Sequence, residues 1–133
     1  MLRETRTIAM IGASANPARD SHQVMRYMQA SGFRVIPVNP TLSGNELLGE
    51  QTFASLADVQ DDIDMVNVFR RSDALPGIVD DVISVQSKKG VRFLWLQIGV
   101  THPDAETKAR ESGLEVVADR CLKIEYGRLL SHL

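Results

Sequence analysis

The sequence predicts an α/β protein, with a doubly wound, five-stranded parallel sheet of the Rossmann-like type between two layers of helices. Two observations support this prediction. Short apolar runs alternate along the chain with stretches of helical periodicity, as in parallel sheets covered on both faces. The first apolar run, residues 8–11, also ends at Gly12 and further small residues shortly before a helical pattern begins. Such a turn points backbone N–H groups and a helix N-terminus at one spot, which favours binding of a phosphate.

The predicted strands are apolar without strict alternation, as expected of strands buried on both faces. They cover residues 8–11, 33–38, 65–69, 91–96 and 115–118. Helices are predicted over 22–30, from position 72 or 73 to about 85, from about 103 to the glycine at 113, and from about 123 onward. A loop over 41–52 and a short helical turn over 55–59 precede the third strand. The predicted strand order is 3-2-1-4-5, with the switch point between strands one and four, beside Gly12 and Gln97.

Length and composition limit the classes of protein that the chain can represent. Its 133 residues predict one domain over 1–133, and 44% hydrophobic with 24% charged residues is typical of soluble globular proteins. A net charge of −2 argues against a nucleic-acid surface, and the apolar runs fall far short of the roughly 20 residues that cross a bilayer. The charged segment 1–6 lacks the apolar core of a signal peptide, so we expect a cytoplasmic location. One cysteine excludes an internal disulfide, and no Cys/His cluster has zinc spacing.

The residues that follow each strand are the candidate site, because the carboxyl ends of parallel strands share one edge of the sheet. These residues are small, amide, cationic and thiol groups: Gly12, Ala13 and Ser14; Asn39 and Pro40; Arg70 and Arg71; Gln97 and Gly99; Arg120 and Cys121. The set favours an anionic ligand, although loops are polar in any case. Gly12 is expected to let the backbone approach a pyrophosphate, so that a bulky β-branched substitution weakens binding and leaves the fold largely intact. The alternative is that Gly12 only makes a tight turn.

Three further positions bear on the ligand. Arg19, ahead of the first helix, can reach a phosphate or serve only as an exposed, solubilising residue. Asn39 ends the second strand, where NAD-binding sheets usually carry an acidic residue that holds the ribose, so NAD is disfavoured without being excluded. Cys121, flanked by cationic residues, either packs inertly or reacts as a thiolate.

Five separated segments also carry a family resemblance, and they occur in one order over essentially the whole chain. They are Ile8 to Ser21 with its Gly-Ala-Ser and Asn-Pro pairs, Val35 to Pro40, Phe69 to Arg71, Trp95 to Gly99, and Asp119 to Glu125. Together they resemble the small stand-alone CoA-binding proteins, which are similar in fold to the N-terminal CoA-binding domain of the succinyl-CoA synthetase alpha subunit.

The resemblance implies that the chain binds coenzyme A or an acyl-CoA, and it assigns a part of the ligand to each segment. Gly12, Ala13 and Ser14 would hold the pyrophosphate, with Arg19 near the phosphates. Val38, Asn39 and Pro40 would border the adenosine, Phe69, Arg70 and Arg71 the pantetheine path, and Gln97 to Gly99 its far end. Arg120 and Cys121 complete the candidate set. The sequence shows no counterpart of the domain that carries the synthetase's phosphorylated histidine, so thioester synthesis, catalytic residues and metal ligands are not expected.

Three functions stay open at this stage. The leading one is a binding module for coenzyme A or acyl-CoA, acting on a small-molecule nucleotide and not on nucleic acid or membrane. The second is an NAD(P)-dependent redox enzyme or sensor on the same fold. The third is a thiol redox module, in which Cys121 forms a mixed disulfide with coenzyme A. A homo-oligomer or a protein partner is compatible with each of them.

Overall fold

The central feature of the molecule, a computed structural model that describes residues 1–131, is a sheet of five parallel strands. In chain order the strands and helices are β1 Thr7–Ile11, α1 Asp20–Ala30, β2 Arg34–Val38, β3 Glu46–Leu47, β4 Glu50–Gln51, β5 Met65–Val68, α2 Leu75–Lys89, β6 Phe93–Leu96, α3 Pro103–Glu111, β7 Glu115–Val117 and α4 Leu122–Ser131. The large sheet has the order β2-β1-β5-β6-β7, and all its neighbouring strands run parallel. Within the described residues, no helix has the length and apolar character needed to span a membrane.

Two separate apolar layers cover the two faces of this sheet. Side chains of successive strand residues point to opposite faces. Ala9, Val66 and Leu94 therefore pack on one side, against α2, α3 and the segment 56–63. Ile8, Met65 and Phe93 pack on the other side, against α1 and the start of α4. The predicted class, a Rossmann-like parallel sheet in three layers, is confirmed.

The position of the third long strand differs from the predicted order 3-2-1-4-5. This strand, β5, lies beside β1 inside the sheet and not outside β2. The physical reason is Pro37, whose carbonyl accepts the N–H of Phe53 at 3.1 Å on the side of β2 away from β1. A proline has no N–H to offer there, so that side cannot support a full ladder and β2 remains an edge strand. Within residues 1–131, a single bridge, between Val38 and Phe53, covers this side of β2.

The switch point consequently lies between β1 and β5, and not between the predicted first and fourth strands, which correspond to β1 and β6. From β1 the chain passes through α1 to one side of the sheet, and from β5 it passes through α2 to the other. The loops that follow these two strands therefore diverge and leave a crevice between them.

The segment 41–52, predicted to be a loop, contains a small hairpin. It begins with a 3₁₀ turn at Pro40–Leu42, and β3 and β4 then pair antiparallel. Leu47 is buried in the core layer on the α1 side, and the Leu48 carbonyl accepts a hydrogen bond from Gln29 Nε2 at 3.1 Å. The segment is therefore packed against α1. Its turn places Leu48 and Gly49 at positive φ, and leucine is an unusual residue at the first position of such a turn.

Candidate functional site

The turn after β1 is shaped by a close approach to the end of β5. Gly12 has a φ of +86°, and a Cβ at this position would lie 2.4 Å from the carbonyl oxygen of Phe69. The Phe69 N–H donates to the Ile11 carbonyl at 2.8 Å, which fixes the two strand ends side by side. The backbone of the neighbouring strand thus requires a glycine here. The expectation that a bulky residue at this position would leave the fold largely intact is wrong.

The loop from Ser14 to Arg19 holds its shape by short-range hydrogen bonds. Ser14 Oγ accepts the N–H of Asn16 at 3.1 Å, and Asn16 Oδ1 accepts the N–H of Ala18 at 3.0 Å. Within residues 1–131, the backbone N–H groups at positions 13–15 donate to no acceptor, and no side chain caps α1. These unpaired donors, together with the helix dipole, form a site suited to an anion.

Asn39 links this turn to the end of β2. Its Nδ2 donates to the Ala13 carbonyl at 2.8 Å. Its Oδ1 accepts the N–H of Thr41 at 2.9 Å and the Thr41 hydroxyl at 2.8 Å, which caps the 3₁₀ turn. Both ends of the amide are therefore used inside the protein. Sequence reasoning treated Asn39 as a ligand contact and missed this bracing role, although an asparagine before a proline is itself a helix-start signal.

The loops after β1, β2, β5 and β6 enclose a cleft of about 770 Å³, a size typical of ligand pockets. It brings together most of the predicted site residues: Gly12, Ala13, Ser14, Arg19, Asn39, Phe69, Arg70, Arg71 and Gln97. Arg71 is paired with Asp73 at 3.1 Å, whereas Arg19 and Arg70 form no ion pair within residues 1–131. Among the described residues, Asp20 is the one carboxylate that lines the cleft. Three guanidinium groups therefore give the cleft an excess of positive charge.

Two smaller cavities flank this cleft, and each shares residues with it. On the α2 side, Val38, Pro40 and Ile78 line a cavity of about 180 Å³ that shares Arg70 with the cleft. On the α4 side lies a cavity of about 260 Å³, lined by Cys121 and Ile124 among others; we call it the α4 cavity. No group of side chains within residues 1–131 has the composition needed to hold a metal ion.

Gly99 and Arg120 lie outside these three cavities and brace the loops instead. The Gly99 N–H donates to Asp119 Oδ1 at 2.7 Å, and the Gly99 carbonyl accepts the Ser72 hydroxyl at 3.1 Å. The Arg120 carbonyl accepts the indole N–H of Trp95 at 2.9 Å. Sequence reasoning missed Ser72 and Asp119 in these roles. Asp119 adopts a φ of +58°, a conformation that asparagine and aspartate tolerate better than most residues.

Gln97 is the most informative polar residue of the site. The residue is 7% exposed, and it lines both the cleft and the α4 cavity. Its Oε1 is buried and accepts no hydrogen bond from any described residue. A buried acceptor without a partner is unfavourable by about 1–3 kcal/mol, so this oxygen keeps an unused capacity to accept a hydrogen bond.

Comparison with known proteins identifies the family. The sequence model of a family described as a CoA binding domain matches residues 6–127. The chain belongs to this family. The resemblance drawn from the five sequence segments is therefore confirmed.

Relatives of this CoA binding domain protein include the uncharacterized protein YneT of Bacillus subtilis, 36% identical over 126 residues that cover 95% of this chain and 89% of the relative. A solved structure from Thermus thermophilus, cell-free ID.343, is 42% identical with a TM-score of 0.91, over 96% of this chain and 92% of that one. An ADP-forming acetate–CoA ligase of Methanocaldococcus jannaschii is 26% identical over 65% of this chain, a match that spans only 12% of the ligase.

The contact of Gly12 with Phe69 can be tested by its effect on stability. Gly12→Ala should lower the free energy of unfolding through both a strained φ and overlap with the Phe69 carbonyl, measured by urea denaturation. Gly44→Ala is the matched control, because Gly44 has nearly the same φ, +85°, with no atom near the added Cβ. The control should lower the free energy of unfolding by about 1 kcal/mol, and Gly12→Ala should lower it by about 1–3 kcal/mol more. Equal losses would show that the close approach is not a constraint.

The bracing role of Asn39 predicts a second stability difference. Asn39→Asp replaces the Nδ2 donor with an oxygen that faces the Ala13 carbonyl, which should lower the free energy of unfolding by about 1–3 kcal/mol at neutral pH. Asn45→Asp, on the exposed hairpin segment, adds the same charge and should change stability by less than about 0.5 kcal/mol. Thermal and urea unfolding of the two variants measure the difference; similar values would contradict the role.

Proposed function

We propose that this protein binds coenzyme A or an acyl-CoA non-covalently, with the pyrophosphate at the turn that follows β1. The observation that carries the proposal is the set of unpaired N–H groups at positions 13–15, next to the uncapped start of α1. Arg19 and Arg70 line the same cleft without an ion-pair partner of their own. A dianionic pyrophosphate would satisfy these donors together, because charge-assisted hydrogen bonds are about twice as strong as neutral ones.

The chemical character of each cavity supports the assignment of the ligand's parts. The proposed phosphate contacts are Gly12, Ala13, Ser14 and Arg19. Val38 and Pro40, in the apolar cavity on the α2 side, would border the adenine ring, with Asn39 behind them as a brace. Phe69, Arg70 and Arg71 would line the path of the pantetheine arm toward Gln97, and Cys121 lies beyond Gln97 in the α4 cavity. Gly99 and Arg120 would hold the surrounding loops in place.

Gln97 supports the direction of this path. A pantetheine arm carries two amide groups, and an amide N–H is the donor that the unpaired Gln97 Oε1 lacks. Bound coenzyme A supplies a thiol that carries acyl groups as thioesters. The residues of this chain would hold the arm and exclude water around Gln97, which is itself 7% exposed.

Nicotinamide dinucleotides are the competing ligand class, and Asn39 argues against them. An NAD site on this fold uses a carboxylate at the end of the second strand to hold the ribose hydroxyl. Here that position carries an amide whose oxygen already accepts two hydrogen bonds from Thr41. We therefore expect coenzyme A to bind at least tenfold more tightly than NAD or NADP.

Isothermal titration calorimetry tests the proposed function directly. The protein is titrated with coenzyme A, with NAD and with NADP, and bound coenzyme A is then challenged with inorganic pyrophosphate. We expect saturable binding of coenzyme A and competition by pyrophosphate, because both use the turn after β1. Absence of heat with coenzyme A, or tighter binding of NAD, would overturn the proposal.

The role of the free guanidinium groups can be measured by charge removal. Arg70→Gln should weaken coenzyme A binding about tenfold at low salt, since it removes one charge-assisted contact. Rising ionic strength should reduce the difference from the unmodified protein. Arg26→Gln is the control, because Arg26 is exposed on α1 and outside the cleft. Equal weakening by both variants would point to net charge and not to a specific contact.

A further inference from the structure

We infer that the α4 cavity holds the acyl chain of an acyl-CoA, so that the protein prefers thioesters with an uncharged, apolar chain to free coenzyme A. The inference rests on the proposed function and deepens it, because it assigns a ligand group to a cavity that the nucleotide itself does not need.

The α4 cavity adjoins the main cleft. Asp20, Gln97 and Ile98 line both spaces. A ligand that extends along the cleft to Gln97 therefore reaches the residues that border the α4 cavity. The thioester end is the part of an acyl-CoA that lies beyond the pantetheine amides, so the acyl chain is the group that would arrive there.

The walls of this cavity are predominantly apolar. Val24 from α1, Cys121, and Ile124 from α4 contribute to them, and Ile98 stands at the junction with the cleft. Val24 and Cys121 are buried, with 3% and 9% of their surfaces exposed. Burial of a hydrocarbon chain against such a surface is favourable, whereas burial of a charged group there is not.

The mouth of the cavity carries unusual exposed apolar surface. Ile98 is 58% exposed and Ile124 is 50% exposed. Within residues 1–131, the only other large apolar side chain in this exposed class is Leu130, which lies outside the cavity. Two isoleucines exposed at one opening indicate a surface that a ligand covers, and the position of this opening beside the cleft favours the chain of a bound thioester.

Two charged residues that line the α4 cavity bear on which acyl chain fits it. Lys123 also lines the cavity, but its ammonium group lies 5.3 Å from the centre of the Tyr27 ring in a cation–π contact. Asp20, at the junction, would repel a terminal carboxylate. These two opposite charges offset each other, and the apolar walls offer a carboxylate no further partner, so an uncharged chain is favoured over the chain of a dicarboxylic acid.

Calorimetry with a series of thioesters tests the inference. The ligands are coenzyme A and its acetyl, butyryl, hexanoyl, octanoyl and succinyl thioesters. Each added pair of methylenes should tighten binding until the cavity is full, by up to about fourfold for each buried methylene. Succinyl-CoA should bind more weakly than butyryl-CoA, which has the same chain length without the charge. Equal affinities along the series, or a preference for succinyl-CoA, would overturn the inference.

The failure of this inference is distinguishable from failure of the proposed function. If coenzyme A itself does not bind, the proposed function fails and the inference with it. If coenzyme A binds and chain length has no effect, only the inference fails.

A pair of variants on α4 tests whether the acyl chain contacts the α4 cavity. Ile124→Ser should reduce the ratio of octanoyl-CoA to coenzyme A affinity at least threefold, because it removes an apolar wall. Leu130→Ser, 44% exposed on the same helix but outside the cavity, should leave that ratio unchanged. Both side chains are well exposed, so both variants should fold, which circular dichroism checks. An unchanged ratio in Ile124→Ser would place the chain elsewhere.

The alternative to an acyl chain is that a second copy of this protein covers the two exposed isoleucines. Light scattering of the unmodified protein and of Ile124→Ser, with and without octanoyl-CoA, separates the two. A monomer in all conditions supports the acyl chain as the occupant. A dimer that Ile124→Ser dissociates, together with a flat chain-length series, would assign the surface to self-association and overturn the inference.

Discussion

The contact between Gly12 and the carbonyl of Phe69 is the constraint on which the site depends. It holds the ends of β1 and β5 together at the point where the chain leaves the sheet in two directions. Any side chain at Gly12 would separate these strand ends and shift the loops that form the cleft. The glycine is therefore required by the architecture first, and its lack of a side chain then leaves the turn open to a ligand.

The site combines groups that are fully paired with groups that are not. Three side chains form hydrogen bonds with neighbouring loops and hold these loops in place: those of Asn39, Ser72 and Asp119. The N–H groups at positions 13–15 and the Gln97 oxygen keep their capacity for a ligand. Rigid, fully bonded supports around a few unpaired donors and acceptors are the arrangement expected of a preformed binding site, since little ordering is left to occur on binding.

Much of this arrangement was accessible from the sequence, because buried parallel strands are continuous apolar runs and their carboxyl ends share an edge. The strand positions, the three layers and the convergence of Gly12, Arg70 and Gln97 follow from that rule. The order of the strands did not follow, although Pro37 carried the signal: a proline near a strand's end marks an edge. The role of Asn39 was missed because one residue type suits both a ligand contact and a helix cap. The hairpin around Leu48 was missed because leucine gives no turn signal.

Pro37 has a consequence for the behaviour of the protein at high concentration. The open side of β2 is the place where a foreign strand could add to the sheet and start fibrillar aggregation. A proline without an N–H interrupts that template, and Phe53 pairs with the Pro37 carbonyl and the Asn39 N–H at the end of the strand. At the opposite margin β7 spans only three residues, too few to recruit a long partner. The two edges of the sheet are thus protected by different means against the addition of a foreign strand.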